Sequence, residues 1–168
     1  MGNVFTEENG KYKIDCSKAL WATDEVHEQY HAAKCSLSDV DWILETDRKI
    51  VLVEYKNANV VGARNPEAFN PREEKVIDKV VKKFYDSLHY LTLLGKTKPK
   101  EYIYILEYPN GDSVSRKMIR NRMKKKLPFV LQENVGEDRK LIEKLDVLSI
   151  DEWNANERYG EFPIVQCE

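Results

Sequence analysis

The sequence predicts an α/β domain, a mixed central β-sheet flanked by helices, and three stretches carry that expectation. DVDWILETDRKIVLVEYKN, residues 39–57, holds two apolar, β-branched-rich runs around the polar ETDRK. Between Pro71 and Gly95 the apolar residues Val76, Ile77, Val80, Val81, Phe84, Leu88 and Leu91 recur at helical spacing. EYIYILEYP then reads as a buried strand. Strands alternating with helices in this way call for a sheet with helices packed on it.

The elements follow in order. The first run predicts a β-hairpin with strands over about residues 39–46 and 49–57, and Asp47-Arg48 as its two-residue turn. The long amphipathic helix comes next, with proline at its start and glycine at its end. Pro109-Asn110-Gly111-Asp112 closes the third strand. Residues 113–127 read as a basic helix stopped by Pro128, and LDVLSI as a short late strand before DEWN. In the N-terminal third a short helix is expected near Ser17 to Trp21, followed by either helix or strand.

At 168 residues and 42% hydrophobic, the chain fits a single domain, residues 1–168, with a core large enough to need no disulfide or metal staple. Cys16, Cys35 and Cys167 are odd in number and lack CxxC spacing, which argues against a disulfide framework and against a four-ligand zinc site. That usage suits a reducing, cytoplasmic setting. No stretch approaches the roughly 20 apolar residues of a membrane span, and MGNVFTEENGKYK lacks the apolar run of a signal peptide, so no membrane partner is expected.

The net charge of -2 hides an uneven distribution. RKMIRNRMKKK, residues 116–126, carries seven basic side chains and no acid. On the predicted helix Arg116, Lys117, Arg120 and Lys124 form the exposed side, with Met118, Ile119 and Met123 packed on the sheet. Such a surface releases counterions on meeting phosphates, which makes nucleic acid the expected partner, DNA ahead of RNA.

The hairpin concentrates the chemistry. With a two-residue turn, Asp41 faces Glu54, Asp39 faces Lys56 and Ile43 faces Leu52, while Trp42 and Leu44 oppose Val53 and Val51 on the other face. Directly opposed Cβ atoms lie about 4.5–5.5 Å apart, so two carboxylates there repel unless a cation sits between them. Carboxylates with open water positions suit a catalytic Mg²⁺ or Mn²⁺ ion. Lys56, on the same face, is placed to orient an attacking water and to offset charge developing on a phosphate.

Asp41, twelve intervening residues and then Glu54-Tyr55-Lys56 at the end of an apolar strand resemble the PD-(D/E)XK nuclease superfamily. The resemblance implies a restriction-endonuclease-like core running helix, three strands, helix, strand. It implies that Asp41, Glu54 and the Tyr55 carbonyl bind metal, that Lys56 is the catalytic lysine, and that the chain is a Mg²⁺-dependent endonuclease or exonuclease. Many such nucleases act as homodimers, though no stretch here identifies an interface. Val40 stands where proline is common before the aspartate, no glutamine lies near Lys56, and only Glu25 and Glu28 are candidates for a first-helix glutamate. The alternative is a catalytically inactive nuclease-like module that binds nucleic acid or a protein partner.

HEQYH, residues 27–31, satisfies the HExxH pattern of zinc peptidases. Asp24, Glu25 and Glu28 crowd acidic charge where a zinc-ligand helix is mostly apolar, and a zinc metallopeptidase is not the expected reading. His27 and His31 are expected as surface or groove residues. His89, beside Leu88 and Tyr90, is expected to pack.

Overall fold

The computed structural model describes residues 3–59, 68–136 and 138–168. Two sheets organise them. The larger has five strands: β3 (Trp21–Thr23), β4 (Trp42–Glu45), β5 (Ile50–Asn57), β6 (Lys100–Glu107) and β7 (Lys144–Leu148), side by side in that order. β3–β4 and β4–β5 are antiparallel, whereas β5–β6 and β6–β7 are parallel. The sheet is therefore mixed. A second, three-stranded antiparallel sheet combines β1 (Val4–Thr6), β2 (Tyr12–Asp15) and β8 (Ile164–Gln166). Among the described residues, no helix is long and apolar enough to cross a membrane.

The hairpin has the register its alternation predicts. Trp42 pairs with Val53, Ile43 with Leu52 and Leu44 with Val51. Thr46 locks the turn by accepting the amides of Arg48 and Lys49 on its Oγ1 at 3.3 and 3.0 Å. The first strand is shorter than expected, because the ladder ends at Trp42. Upstream of it the backbone turns to α2 (Glu74–Leu93), where Val40 N–H donates to Ser87 Oγ and Ser38 N–H to Asp86 Oδ2.

Helix α2 ends in a Schellman motif: Lys96 N–H reaches the Leu91 carbonyl and Gly95 N–H that of Thr92, with Gly95 at φ +69°. Its Ile77, Val80, Phe84 and Leu91 cover Ile43, Ile50, Leu52, Tyr102 and Tyr104 on one face of the large sheet. On the opposite face Trp42, Val51, Val53, Ile103 and Ile105 pack against Ile14, Ile164 and Trp153. The three-stranded sheet and α5 (Ile150–Ala155) thus form the second covering layer.

The N-terminal third departs from expectation. Residues near Ser17 form a turn, with Ala19 N–H on the Cys16 carbonyl, and Trp21–Thr23 is the edge strand beside β4 rather than the end of a helix. Pairing with an existing strand outweighs a helical preference that so short a segment cannot sustain. The segment after it is helical: α1 (Val26–Ala32) buries Val26 and Tyr30 one turn apart. Tyr30 Oη donates to the Asp86 carbonyl at 2.6 Å and accepts Tyr90 N–H at 3.1 Å, tying α1 to α2. The implied order of helix then three strands is altered, because α1 lies between β3 and β4 in the chain.

The basic segment is helix α3 (Ser113–Lys126), opened by a capping box between Asp112 and Ser115. Ile119 and Met123 are buried, but Met118 is 53% exposed, because it lies off their stripe. A further short helix, α4 (Phe129–Val135), follows Pro128, and His89 is exposed on α2 instead of packed.

Candidate active site

Asp41 stands one residue before β4, where the backbone leaves the ladder for α2. Its Oδ2 accepts the Tyr55 N–H at 2.8 Å, so the carboxylate takes the place of the next ladder partner. Strand geometry sends the N–H and carbonyl of one residue to the same edge, so the Tyr55 carbonyl lies on the edge where Asp41 sits. Glu54 and Lys56 alternate with Val53 and Tyr55 and share the α2 face with Leu52. Glu54 and Lys56 therefore belong to one face of the sheet, and Asp41 meets Tyr55 at its edge.

Their environments differ. Glu54 is 5% exposed; its Oε1 accepts from Lys83 Nζ of α2 at 2.5 Å, and its Oε2 is buried without a hydrogen-bond partner among the described residues. Burial, and then the charge of Asp41, push the Glu54 carboxyl well above the usual carboxylate range, with Lys83 opposing. Burial also raises Asp41, against the Tyr55 amide bond and Lys83. For Lys83 burial alone would favour the neutral amine, but the charge of Glu54, the hydrogen bond to it and the charge of Asp41 outweigh burial and raise its proton affinity. Lys56 is exposed, with Nζ 5.1 Å from the centre of the Phe69 ring.

A cavity of about 580 Å³ opens beside this group, lined by Glu8, Asp24, His27, Asp39, Asp41 and Lys83 among others. Asp39 does not meet Lys56. Its Oδ1 lies 3.0 Å from Nδ1 of His27, because the ladder that would have set Asp39 opposite Lys56 stops short of it. His27 and His31 project from one side of α1 with rings nearly parallel and centroids 6.1 Å apart. The helix needed for a HExxH site is present, but among the described residues no group of three His, Cys, Asp or Glu side chains is arranged to hold a metal.

Lys83 is the residue that sequence reasoning missed. On α2 it lies three residues after Val80 and four before Ser87, both buried, so helical spacing sets it on the inner stripe. A lysine at such a position was the available signal.

The basic helix is largely neutralised through space. Arg116 is buried and grips Glu152 of α5 with two bonds, Nε to Oε2 at 3.2 Å and Nη2 to Oε1 at 3.0 Å. Its predicted exposure is incorrect because Arg116, Ile119 and Met123 share one stripe. Arg120 lies 3.8 Å from Asp146, Arg122 lies 2.6 Å from Glu74, and Lys126 lies 2.7 Å from Asp78. Lys117, Lys124 and Lys125 stay exposed, Lys124 over the Phe129 ring. No family model, curated protein or solved structure matches the chain.

Proposed function

We propose that the protein is a divalent-metal-dependent phosphodiester hydrolase of the PD-(D/E)XK kind, with a restriction-endonuclease-like core and nucleic acid, DNA first, as substrate. One observation carries the reading: among the described residues the Oε2 of Glu54 is buried and unpartnered beside a second carboxylate, a costly arrangement that a fold maintains poorly without a ligand for it. Asp41, Glu54 and the Tyr55 carbonyl would hold Mg²⁺ or Mn²⁺, all oxygen donors, with the remaining positions left to water. The bound ion would acidify a water and offset charge on the phosphate.

The cavity supports the same reading. Glu8, Asp24, Asp39 and Asp41 line it together, and four carboxylates repel a phosphodiester unless a cation joins them. Asp41 holds its orientation through the Tyr55 amide, and Asp39 fixes the ring of His27 at the rim. Lys117, Lys124 and Lys125 are the exposed cations of α3 that are free to meet phosphates, because Arg116 and Arg120 face acids of the same chain.

A second reading, an inactive module that binds nucleic acid or a protein, is favoured by the Lys83–Glu54 pair, which balances charge without metal. Cleavage of labelled duplex DNA in Mg²⁺ or Mn²⁺ separates the two. The hydrolase cuts and Glu54→Ala does not; equal traces for both proteins would leave the binding module.

A further inference from the structure

The motif lysine and the lysine at the carboxylates are different residues. Lys56 follows Glu54 by two on the same strand, yet it makes no hydrogen bond or ion pair among the described residues and rests against Phe69. Lys83, from the facing helix, touches Glu54 Oε1 at 2.5 Å and also lines the cavity that Asp41 borders. We propose that Lys83, not Lys56, is the lysine of this centre, a cation that neutralises Glu54 in the metal-free protein and binds the scissile phosphate once a divalent ion occupies the carboxylates. The proposal rests on the hydrolase reading above.

The geometry provides for both states. Lys83 keeps 32% of its side chain exposed although its head group meets a carboxylate that is only 6% exposed, so it spans from the interior to the cavity wall. A divalent ion held by Asp41 and Glu54 would supply the charge that Lys83 supplies in its absence. The ammonium is a compact point charge on a flexible four-carbon stem, and a turn about its outer bonds moves it from Oε1 into the cavity. There it meets a phosphate oxygen.

In the hydrolysis itself the water oxygen bonds to phosphorus and the ester P–O bond breaks. The water's proton passes to solvent, the leaving oxygen takes one from solvent, and Lys83 offsets the negative charge on a non-bridging oxygen.

Four full-length proteins test this: wild type, Lys83→Met, Lys83→Arg and Lys56→Met. Two quantities are measured, cleavage of a fluorescent DNA duplex in Mn²⁺ and the Mn²⁺-induced rise in melting temperature. Lys83→Met should lose roughly a hundredfold or more in kcat with little change in KM. Lys83→Arg should recover part of the loss, and Lys56→Met should lose at least about tenfold less than Lys83→Met. The Mn²⁺ shift should persist in all three variants and be largest in Lys83→Met, where no tethered cation competes with the ion.

A larger loss in Lys56→Met than in Lys83→Met overturns the proposal while leaving the hydrolase intact. Loss of the Mn²⁺ shift in a folded Lys83→Met overturns it too, because the lysine would then only prop the carboxylates. Wild type that neither cuts nor responds to Mn²⁺ removes the hydrolase reading and this proposal together.

Discussion

Glu54 on β5 and Glu101 on β6 are both buried, on neighbouring parallel strands, and the chain treats them in opposite ways. Glu101 is 1% exposed and meets three donors: Lys49 Nζ at 2.9 Å, Arg158 Nη1 at 3.3 Å and Tyr159 Oη at 2.5 Å. Burial would raise its proton affinity, but the bonds from Tyr159 and Lys49 and the charge of Arg158 prevail and hold it below the usual carboxylate range. Among the described residues Glu54 has one donor and an oxygen without a partner, and its proton affinity rises. Burial is common to both. Satisfaction of the oxygens is what separates the two, and it is the basis on which Glu54 rather than Glu101 is proposed as a ligand-binding carboxylate.

Position agrees with this contrast. Glu101 lies near the start of β6, on the face covered by the smaller sheet, and clamps the hairpin turn to the C-terminal segment through Lys49, Arg158 and Tyr159. Glu54 lies toward the carboxyl end of β5, the end of parallel strands at which α/β sheets usually bind ligands.

The sharpest way to break the comparison is to remove each glutamate in turn. On the proposed hydrolase reading, Asp41→Asn and Glu54→Ala should each cut Mn²⁺-dependent cleavage by about a thousandfold or more, since each would remove a proposed ligand of the ion. Glu101→Ala should retain cleavage per folded molecule. Equal catalytic loss at Glu101 would mean that satisfaction does not mark function here.

Stability should run the other way. Glu101→Ala strands the buried Tyr159 hydroxyl, unpairs Arg158 and leaves Lys49 with Glu143 as its remaining partner, at a cost of about 2 kcal/mol after discounting the partly exposed Arg158. Urea denaturation measures it, and a cost below about 0.5 kcal/mol, the range of ordinary surface substitutions, would reduce Glu101 to one of them.

Glu54→Gln should cost the metal-free protein less stability near neutral pH than Glu101→Ala does, since it removes a charge the fold holds badly while its amide oxygen still accepts from Lys83. Folded Glu54 binds its proton more tightly than the unfolded chain does. Stability contributed there is greatest at acid pH and falls as pH rises from the unfolded value near 4.5 toward the raised folded one. Lys83 acts at the other end of the scale, its contribution lost only as pH climbs above 10.5. The wild type should therefore show a decline through that lower window that Glu54→Gln lacks, as read from melting temperature against pH. A decline of the same size in both proteins would assign it to other groups.

The legible part of this site was the part governed by period and turn. A two-residue turn and the alternation of Trp42, Leu44, Val51 and Val53 determine which side chains share a face, and both are local properties. Lys83 was hidden because it reaches Glu54 across 29 residues, from a helix whose neighbouring lysines face water. The strands β1 and β8 were hidden for a similar reason: three residues each, they gain stability only by pairing with β2, one of them from the far end of the chain. Arg116 was misplaced by counting charge along the chain, where its partner Glu152 is 36 residues away.

The basic helix offers the smallest test, and it carries the comparison from anions to cations. Arg116 is satisfied, as Glu101 is; Lys117, Lys124 and Lys125 are not. Reversing those three lysines to glutamate should alter folding stability by no more than about 0.5 kcal/mol, because they make no ion pair among the described residues. For every phosphate that a lysine no longer neutralises, the slope of log affinity against log salt should flatten by about 0.9 on duplex DNA or 0.7 on a single strand. Arg116→Ala should do the reverse, lowering stability by unpairing Glu152 while leaving the salt slope in place. Fluorescence anisotropy across a salt series reads the slope directly. An unchanged slope after the triple reversal would take α3 out of the proposed nucleic-acid interface.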